Sequence, residues 1–442
     1  MEGSSTDQVK DVDWISKLPD DLLLVILSRL STEEAVRSSL VSKRWENVWK
    51  HISHLVLDMS RIINFEEPTD VSNRVATLLT KIINNHHGHL ESCVINHYTY
   101  QSVNGMLNTW IQALTCSKHT RVLTLTNHYA DHPAYLDRMG PNKYLEISTN
   151  IFSHPSLKSL SLIFYILETP HPLSYCPDLT TLKLVCVVSE VGVLNRVLAS
   201  CPSLEMLVLD IACVKKNGGP LKIIENNKLK VLLVTSSSKY IDGIRVSAPS
   251  LDIIAFIDTS FKKDCSRNFW VTPPFTPYIS YNISKEKKII WHEELVNLFG
   301  KLRITAGSLS VSVDLNNPTE FERLQKVLRA WTHKMRELEI IFKDNNDPNE
   351  ENDSWNKKKN KYKDPFPNAE FHVDTVCMNN FSGSEEEFAL ASCLIRQGTV
   401  VKNMMIKTTS FPARKNLEIK TAVAKLRALR KIDQWKLTIK CF

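Results

Sequence analysis

Glycine is scarce in this chain, 12 of 442 residues, and none of it gathers into a phosphate-cradling loop. No nucleophile elbow and no HExxH pattern occurs either. The common signatures of nucleotide hydrolysis, serine-type acyl transfer and zinc proteolysis are therefore missing. The paired acids Glu293 and Glu294 beside Trp291 have no general-acid logic. His86, His87 and His89 sit together, but no carboxylate or cysteine stands at ligand spacing, so they read as a turn and no metal or other cofactor is expected. Long apolar runs are absent: nothing approaches the roughly 18 residues that span a bilayer, so no membrane partner is expected. The opening MEGSSTDQVKDVD has no apolar core and does not read as a secretory leader. Ten cysteines are scattered without a CxxC pair, which fits reduced thiols in the nucleus or cytoplasm.

What is present is ordinary in bulk and uneven in detail. Hydrophobic residues make up 43% and charged residues 23%, as in a globular protein, and the length suits about two to three domains. The net charge of +7 is local. Residues 402–442 hold eleven Lys/Arg against Glu418 and Asp433, leaving the rest slightly acidic. Such a segment could touch nucleic acid or an acidic partner. It shows no aromatic interleaving and no nucleic-acid motif, so it reads as a solvated helix face and nucleic acid is not expected as a partner.

Residues 18–49 are the densest signal. Asp20 and Asp21 follow Pro19 and can cap a helix. Leu22, Leu23, Ile26, Leu27 and Leu30 then recur at helical spacing. Ser31 with Glu34 predicts a capping box opening a second helix. Ser42, Lys43, Arg44 and Trp45 begin a third, with Val48 and Trp49 behind. So short a cassette cannot enclose its own tryptophans and aliphatics, so it needs a partner surface.

This run resembles the F-box. The match takes in Leu18-Pro19, Asp21-Leu22-Leu23, Ile26-Leu27, Arg37, Leu40-Val41-Ser42, Lys43-Arg44-Trp45 and Trp49, in order and without gaps. The family usually carries a larger aliphatic where Ala35-Val36 stand. The resemblance implies docking onto a Skp-type adaptor, and through it a cullin scaffold of a ubiquitin ligase. The adaptor-binding residues it implies are Leu18, Pro19, Leu22, Leu23, Ile26, Leu27, Val41, Ser42, Lys43, Arg44 and Trp45.

A repeat follows. L-x-x-L-x-L recurs from Leu157, Leu179, Leu204, Leu229 and Leu251, at spacings of 22, 25, 25 and 22 residues. Pro155, Pro177, Pro202 and Pro249 stand two positions before four of these units and end the preceding segment. Weaker copies begin at Leu90, Thr120, Phe299, Met335 and Val401. Each unit predicts one short strand of a parallel sheet, with a return such as the helical pattern of Val193, Leu194, Val197 and Leu198. These units resemble leucine-rich repeats of the plant F-box type, including the CPSLE run at Cys201–Glu205. Residues between the leucines face the other side of the sheet. They are polar early (Ser159, Ser161, Thr181, Lys183) and apolar later. An exposed strip of Met206, Val208, Val231, Leu233, Ile253 and Ile257 is the candidate surface for an unknown protein target; cover by the C-terminal region or a long loop is the alternative.

Residues 344–368 are acidic and then lysine-rich, and read as a mobile charged loop, with Lys357–Lys361 as a possible nuclear address. Beyond it FHVDTVCM predicts a strand. Ser384 with Glu387 predicts a capping box, Phe388, Ala391, Leu394 and Ile395 a helix face closed by Gly398, and Val400–Ile406 a strand. Ile419, Ala422, Val423, Leu426 and Leu429 predict a second helix, and Trp435, Leu437, Ile439 and Cys441 a last strand. SGSEEEFALASCLI and VVKNMMIK resemble the FBD segment that ends many plant F-box proteins.

The predicted fold is α/β: a three-helix F-box, a curved leucine-rich-repeat solenoid with a parallel sheet, and a β-α-β-α-β segment capping the last repeat. Boundaries fall at 1–13 (disordered), 14–53 (F-box), 54–343 (repeats), 344–368 (loop) and 369–442 (FBD-like). The function implied is target recognition for a Skp-cullin-F-box ubiquitin ligase, with no catalysis on this chain. The alternatives are a non-degradative repeat scaffold, or a hormone or metabolite co-receptor.

Overall fold

The computed structural model describes residues 17–40, 43–59, 68–98, 106–128, 145–147, 152–213, 219–224, 226–236, 243–257, 268–271, 278–283, 307–331, 334–343, 371–408 and 413–442. The expected charged loop, with its Lys357–Lys361 run, and the copy at Phe299 lie outside them. The chain forms two compact units, Met1–Ser189 with Arg196–Pro202, and Glu190–Asn195 with Ser203–Phe442. The division falls inside the repeat region.

In the first unit, α1 (Asp20–Leu27), α2 (Thr32–Arg37) and α3 (Lys43–Val48) build the cassette. The strands β1 (His54–Asp58), β2 (Ser92–Tyr98), β3 (Val122–His128), β5 (Ser159–Ile163) and β7 (Thr181–Ser189) follow, with the short β4 (Leu145–Glu146) and β6 (Tyr165–Leu167) pairing beside them. Helices α4 (Pro68–Asn85) and α5 (Met106–Gln112) are returns. Pairing is parallel from β1 to β7, through β2, β3 and β5. The register aligns Leu55, Cys93, Leu123, Leu160 and Leu182 in one column and Leu57, Ile95, Leu125, Leu162 and Leu184 in the next. All are buried, so the repeated leucines face inward as their spacing predicts. Burial alone holds the Cys93 thiol up at about 12, which makes it a packing residue.

The return helix α6 (Val191–Ala199) buries Val193, Leu194 and Val197. In the second unit β8 (Met206–Cys213), β10 (Val231–Ser236) and β12 (Ile253–Ile257) run parallel. Their returns are strands, β9 (Leu221–Ile224), β11 (Ile244–Ser247) and β13 (Asn268–Val271), which form a separate three-stranded sheet. Next, β14 (Tyr278–Asn282) pairs antiparallel to β12. The following strands, β15 (Ser308–Val313), β16 (Met335–Phe342), β17 (Val373–Asn379), β18 (Val400–Ile406) and β19 (Thr438–Cys441), are all parallel to β14. Three helices, α7 (Pro318–Ala330), α8 (Glu385–Arg396) and α9 (Ala413–Ala428), connect them.

The reversal at β14 decides the core of this sheet. β-α-β crossovers are right-handed. When strands are added in the same spatial order but run the other way, their crossover helices must lie on the opposite face. The register shows the switch. Val231, Ile253, Tyr281, Val311, Ile340, Met378 and Ile406 form one column, and α7, α8 and α9 pack on it through Leu324, Val327, Leu394, Val423 and Leu426.

The expectation of an exposed apolar strip is therefore corrected. Met206, Val231, Leu233 and Ile253 are buried in this core, and Val208 is half-buried against it. The side chain of Ile257 lies outside the described residues. Likewise the β-α-β-α-β ending is present but does more than cover a last repeat: β17 to β19 extend the sheet and share its core. On the other face Leu207, Leu209, Leu232 and Val234 are buried too. Leu207→Ala is expected to destabilise the fold by about 2–5 kcal/mol in thermal or chemical unfolding, whereas Thr375→Ala, half-exposed on that same face, should change little.

Candidate functional site

The cassette is held by polar bonds that leave one apolar face uncovered. Pro19 precedes the first turn of α1 without a side-chain cap, and Asp20 and Asp21 are first-turn acids instead of the caps their position predicted. Asp20 pairs with Arg44 at 2.6 Å, and Arg44 also donates to the Leu18 carbonyl. Arg44 thus staples α3 to the start of α1. The capping box of α2 forms as its sequence predicts: the Glu34 N–H donates to Ser31 Oγ at 3.2 Å and the Ser31 N–H to Glu34 Oε2 at 3.0 Å. Beneath them Leu23, Leu27, Ala35, Val48 and Trp49 are buried. Ala35, where the family usually has a larger side chain, occupies a fully enclosed position.

Leu23 and Leu27 therefore belong to the cassette's own core and are not available to a partner. The neighbouring helical face is open. Leu22, Val25 and Ile26 are 50%, 54% and 41% exposed, and Leu30 and Leu40 are exposed beyond them. Spacing of three and four residues puts Leu22, Val25 and Ile26 on one stripe. Pro19 is exposed, while Leu18, Arg44 and Trp45 are half-buried. Val41 and Ser42 lie outside the described residues, as does the side chain of Lys43. Val25 and Leu40 were not among the predicted docking residues. Two leucine stripes overlap on α1, and only burial in the folded cassette distinguishes inner from outer.

Several hydrogen bonds fix the cassette to the first strands; the Glu91 and Ser92 N–H groups both donate to the Ser53 carbonyl, at 2.9 and 3.2 Å. The Val56 N–H donates to Thr32 Oγ1 at 2.7 Å, the His87 N–H to the Lys50 carbonyl at 2.7 Å, and His86 Nε2 meets the Ile52 carbonyl at 2.8 Å. His86 is fully buried, and desolvation lowers its pKa, with Lys118, His51 and His87 acting the same way and the bond to Ile52 opposing. The predicted turn at His86–His89 is thus a bolt between cassette and first repeat. Among the described residues no cluster of His, Cys, Asp or Glu could hold a metal ion.

A base with a lowered folded pKa takes up protons preferentially in the unfolded chain. Stability is therefore expected to fall as pH drops below about 6.5, the ordinary histidine value. His86→Gln should flatten that acid-side slope in unfolding curves measured at several pH values. An unchanged slope would remove His86 as its source.

A profile of the F-box domain matches residues 15–56. A second profile, described as the LRR repeats of FBD-associated F-box protein At5g56370, matches residues 107–272. The chain is 61% identical to F-box protein At1g80960 of Arabidopsis thaliana, over 98% of this chain and 91% of that protein. It is 42% identical to the putative F-box protein At1g67390 of the same plant, over 97% and 92%. A more distant relative, F-box/FBD/LRR-repeat protein At3g51530 of Arabidopsis thaliana, is 26% identical over 91% of this chain and 87% of its own length.

Proposed function

This chain belongs to the plant F-box/leucine-rich-repeat proteins, and from that premise we propose that it is a target-recognition subunit of a Skp-cullin-F-box ubiquitin ligase. F-box domains generally bind Skp-type adaptors, and proteins built this way are typically non-catalytic. The observation that carries the reading is the uncovered stripe of Leu22, Val25 and Ile26 within the segment matched as an F-box. Three adjacent large aliphatics half in water are costly unless a partner removes them, at about 25 cal/mol per Å² of apolar surface.

In this reading the cassette seats on the adaptor and the adaptor on a cullin. The repeats hold a protein target, and docking of the cassette brings that target near a ubiquitin-charged conjugating enzyme. Transfer then becomes effectively intramolecular. The chain contributes position and no reacting group.

Affinity capture with the full chain and with a variant disabled in the α1 stripe, both under proteasome inhibition, tests this. Targets should be recovered with both baits, should carry ubiquitin only with the first, and should be ubiquitinated when the purified ligase is reassembled. Recovery of the same proteins without ubiquitin on either bait would support a non-degradative scaffold instead.

A further inference from the structure

The far end of the second unit carries a surface that adaptor docking does not use. β19 is the last strand of its sheet. Phe442 donates its N–H to the Ile406 carbonyl and accepts from Thr408, so its polar groups face inward. The alternate carbonyls face out, and two arginines of the α9 region cap them: Arg427 Nε reaches the Ile439 carbonyl at 3.2 Å and Arg430 Nη1 the Leu437 carbonyl at 3.1 Å. These guanidinium groups are held by neutral oxygens, and among the described residues neither forms an ion pair. The capping also blunts the edge against strand addition.

Lys431, Lys436 and Lys440 are exposed along the same edge, and none forms an ion pair among the described residues. Apolar side chains stand at both ends. Ile432 is 98% and Trp435 72% exposed on the turn before β19, and Phe442 is exposed after it. The Lys436 ammonium lies 4.8 Å from the centroid of the Trp435 ring, which holds that ring in place. The result is a narrow strip with Lys431 and Lys436 on the turn, Asp433 between them in sequence, Lys440 on β19, and apolar side chains at its ends.

We propose that this edge binds an extended acidic polypeptide segment that carries apolar side chains among its carboxylates. Charge complementarity supplies the sign of the partner. A narrow line suits an extended chain more than the plane of a bilayer, and the aliphatic tip of Ile432 offers nothing to a nucleotide base. The partner engages mainly through side chains, because the arginine caps occupy the outward carbonyls of Leu437 and Ile439. This site lies outside the adaptor reading and does not depend on it.

The test is selection from a random linear-peptide library displayed on phage, using the full chain. Enriched peptides should combine Asp/Glu with aromatic or aliphatic residues, and their binding should weaken with added salt. Lys431→Glu with Lys436→Glu and Lys440→Glu should reduce the affinity of a synthesised winner at least about tenfold at an unchanged melting temperature. Trp435→Ala, which keeps every charge, should also weaken it. Peptides without acidic enrichment, or acidic peptides that bind the charge-reversed chain equally, would overturn the proposal. So would binding of a single-stranded oligonucleotide or of phosphatidylserine vesicles through these lysines with no acidic peptide selected.

Discussion

Leu22→Asp with Ile26→Asp is expected to abolish recovery of a Skp-type adaptor with this chain while leaving the cassette folded. Both side chains are about half in water in the free protein, so the exchange removes little packing from the fold. In a complex each would be desolvated. Losing a buried aliphatic costs about 1.5–3 kcal/mol, and burying a carboxylate without a partner costs more. Together they should weaken binding by more than about a hundredfold. Leu23→Asp is the contrasting variant. It places the same charge one residue away, in the closed core with Leu27 and Trp49, and should unfold the cassette itself. Titration calorimetry with purified adaptor and a thermal melt of each variant separate the two. Full affinity in the Leu22/Ile26 variant would place the docking face elsewhere.

Val231→Asp with Leu233→Asp is expected to unfold the second unit. Both residues are buried in the core that α7, α8 and α9 share with β8, β10, β12 and β14 to β19. Each substitution removes an aliphatic contact worth about 2–5 kcal/mol and strands a charge in an apolar interior. Domains are stable by only about 5–15 kcal/mol, so the pair should exhaust the margin. Hydrogen exchange at residues 371–408 reads this directly, since protection there should collapse. Retained protection would mean that the core does not lie on the Val231 face.

The cassette and the repeats were largely legible because their signals are local. A capping box needs only Ser31 and Glu34, or Ser384 and Glu387, three residues apart, and both boxes form. The leucine columns follow from spacing, and the weaker copies at Leu90, Thr120, Met335 and Val401 also became strands. β1, β14 and β15 were not anticipated, nor were the strands β4, β6, β9, β11 and β13 beside the repeats; β14 and β15 alternate with serine or tyrosine instead of repeating leucine.

The fate of the apolar strip could not be read from its own residues. Whether Val231 and Leu233 face water depends on the direction of β14, some 45 residues later, and on the handedness rule acting on every crossover after it. On α1 the difficulty was smaller in scale. Leu22 and Leu23 are the same residue type in adjacent positions, and the side chains they meet, not their own chemistry, decide which is core and which is docking face.

The most direct test of the central claim is hydrogen–deuterium exchange of the full chain with and without a purified Skp-type adaptor. New protection should concentrate in residues 18–30 and around Leu40, where the uncovered aliphatics stand, with β15 to β19 unchanged. Protection absent from α1, or confined to the repeats, would contradict docking through this face.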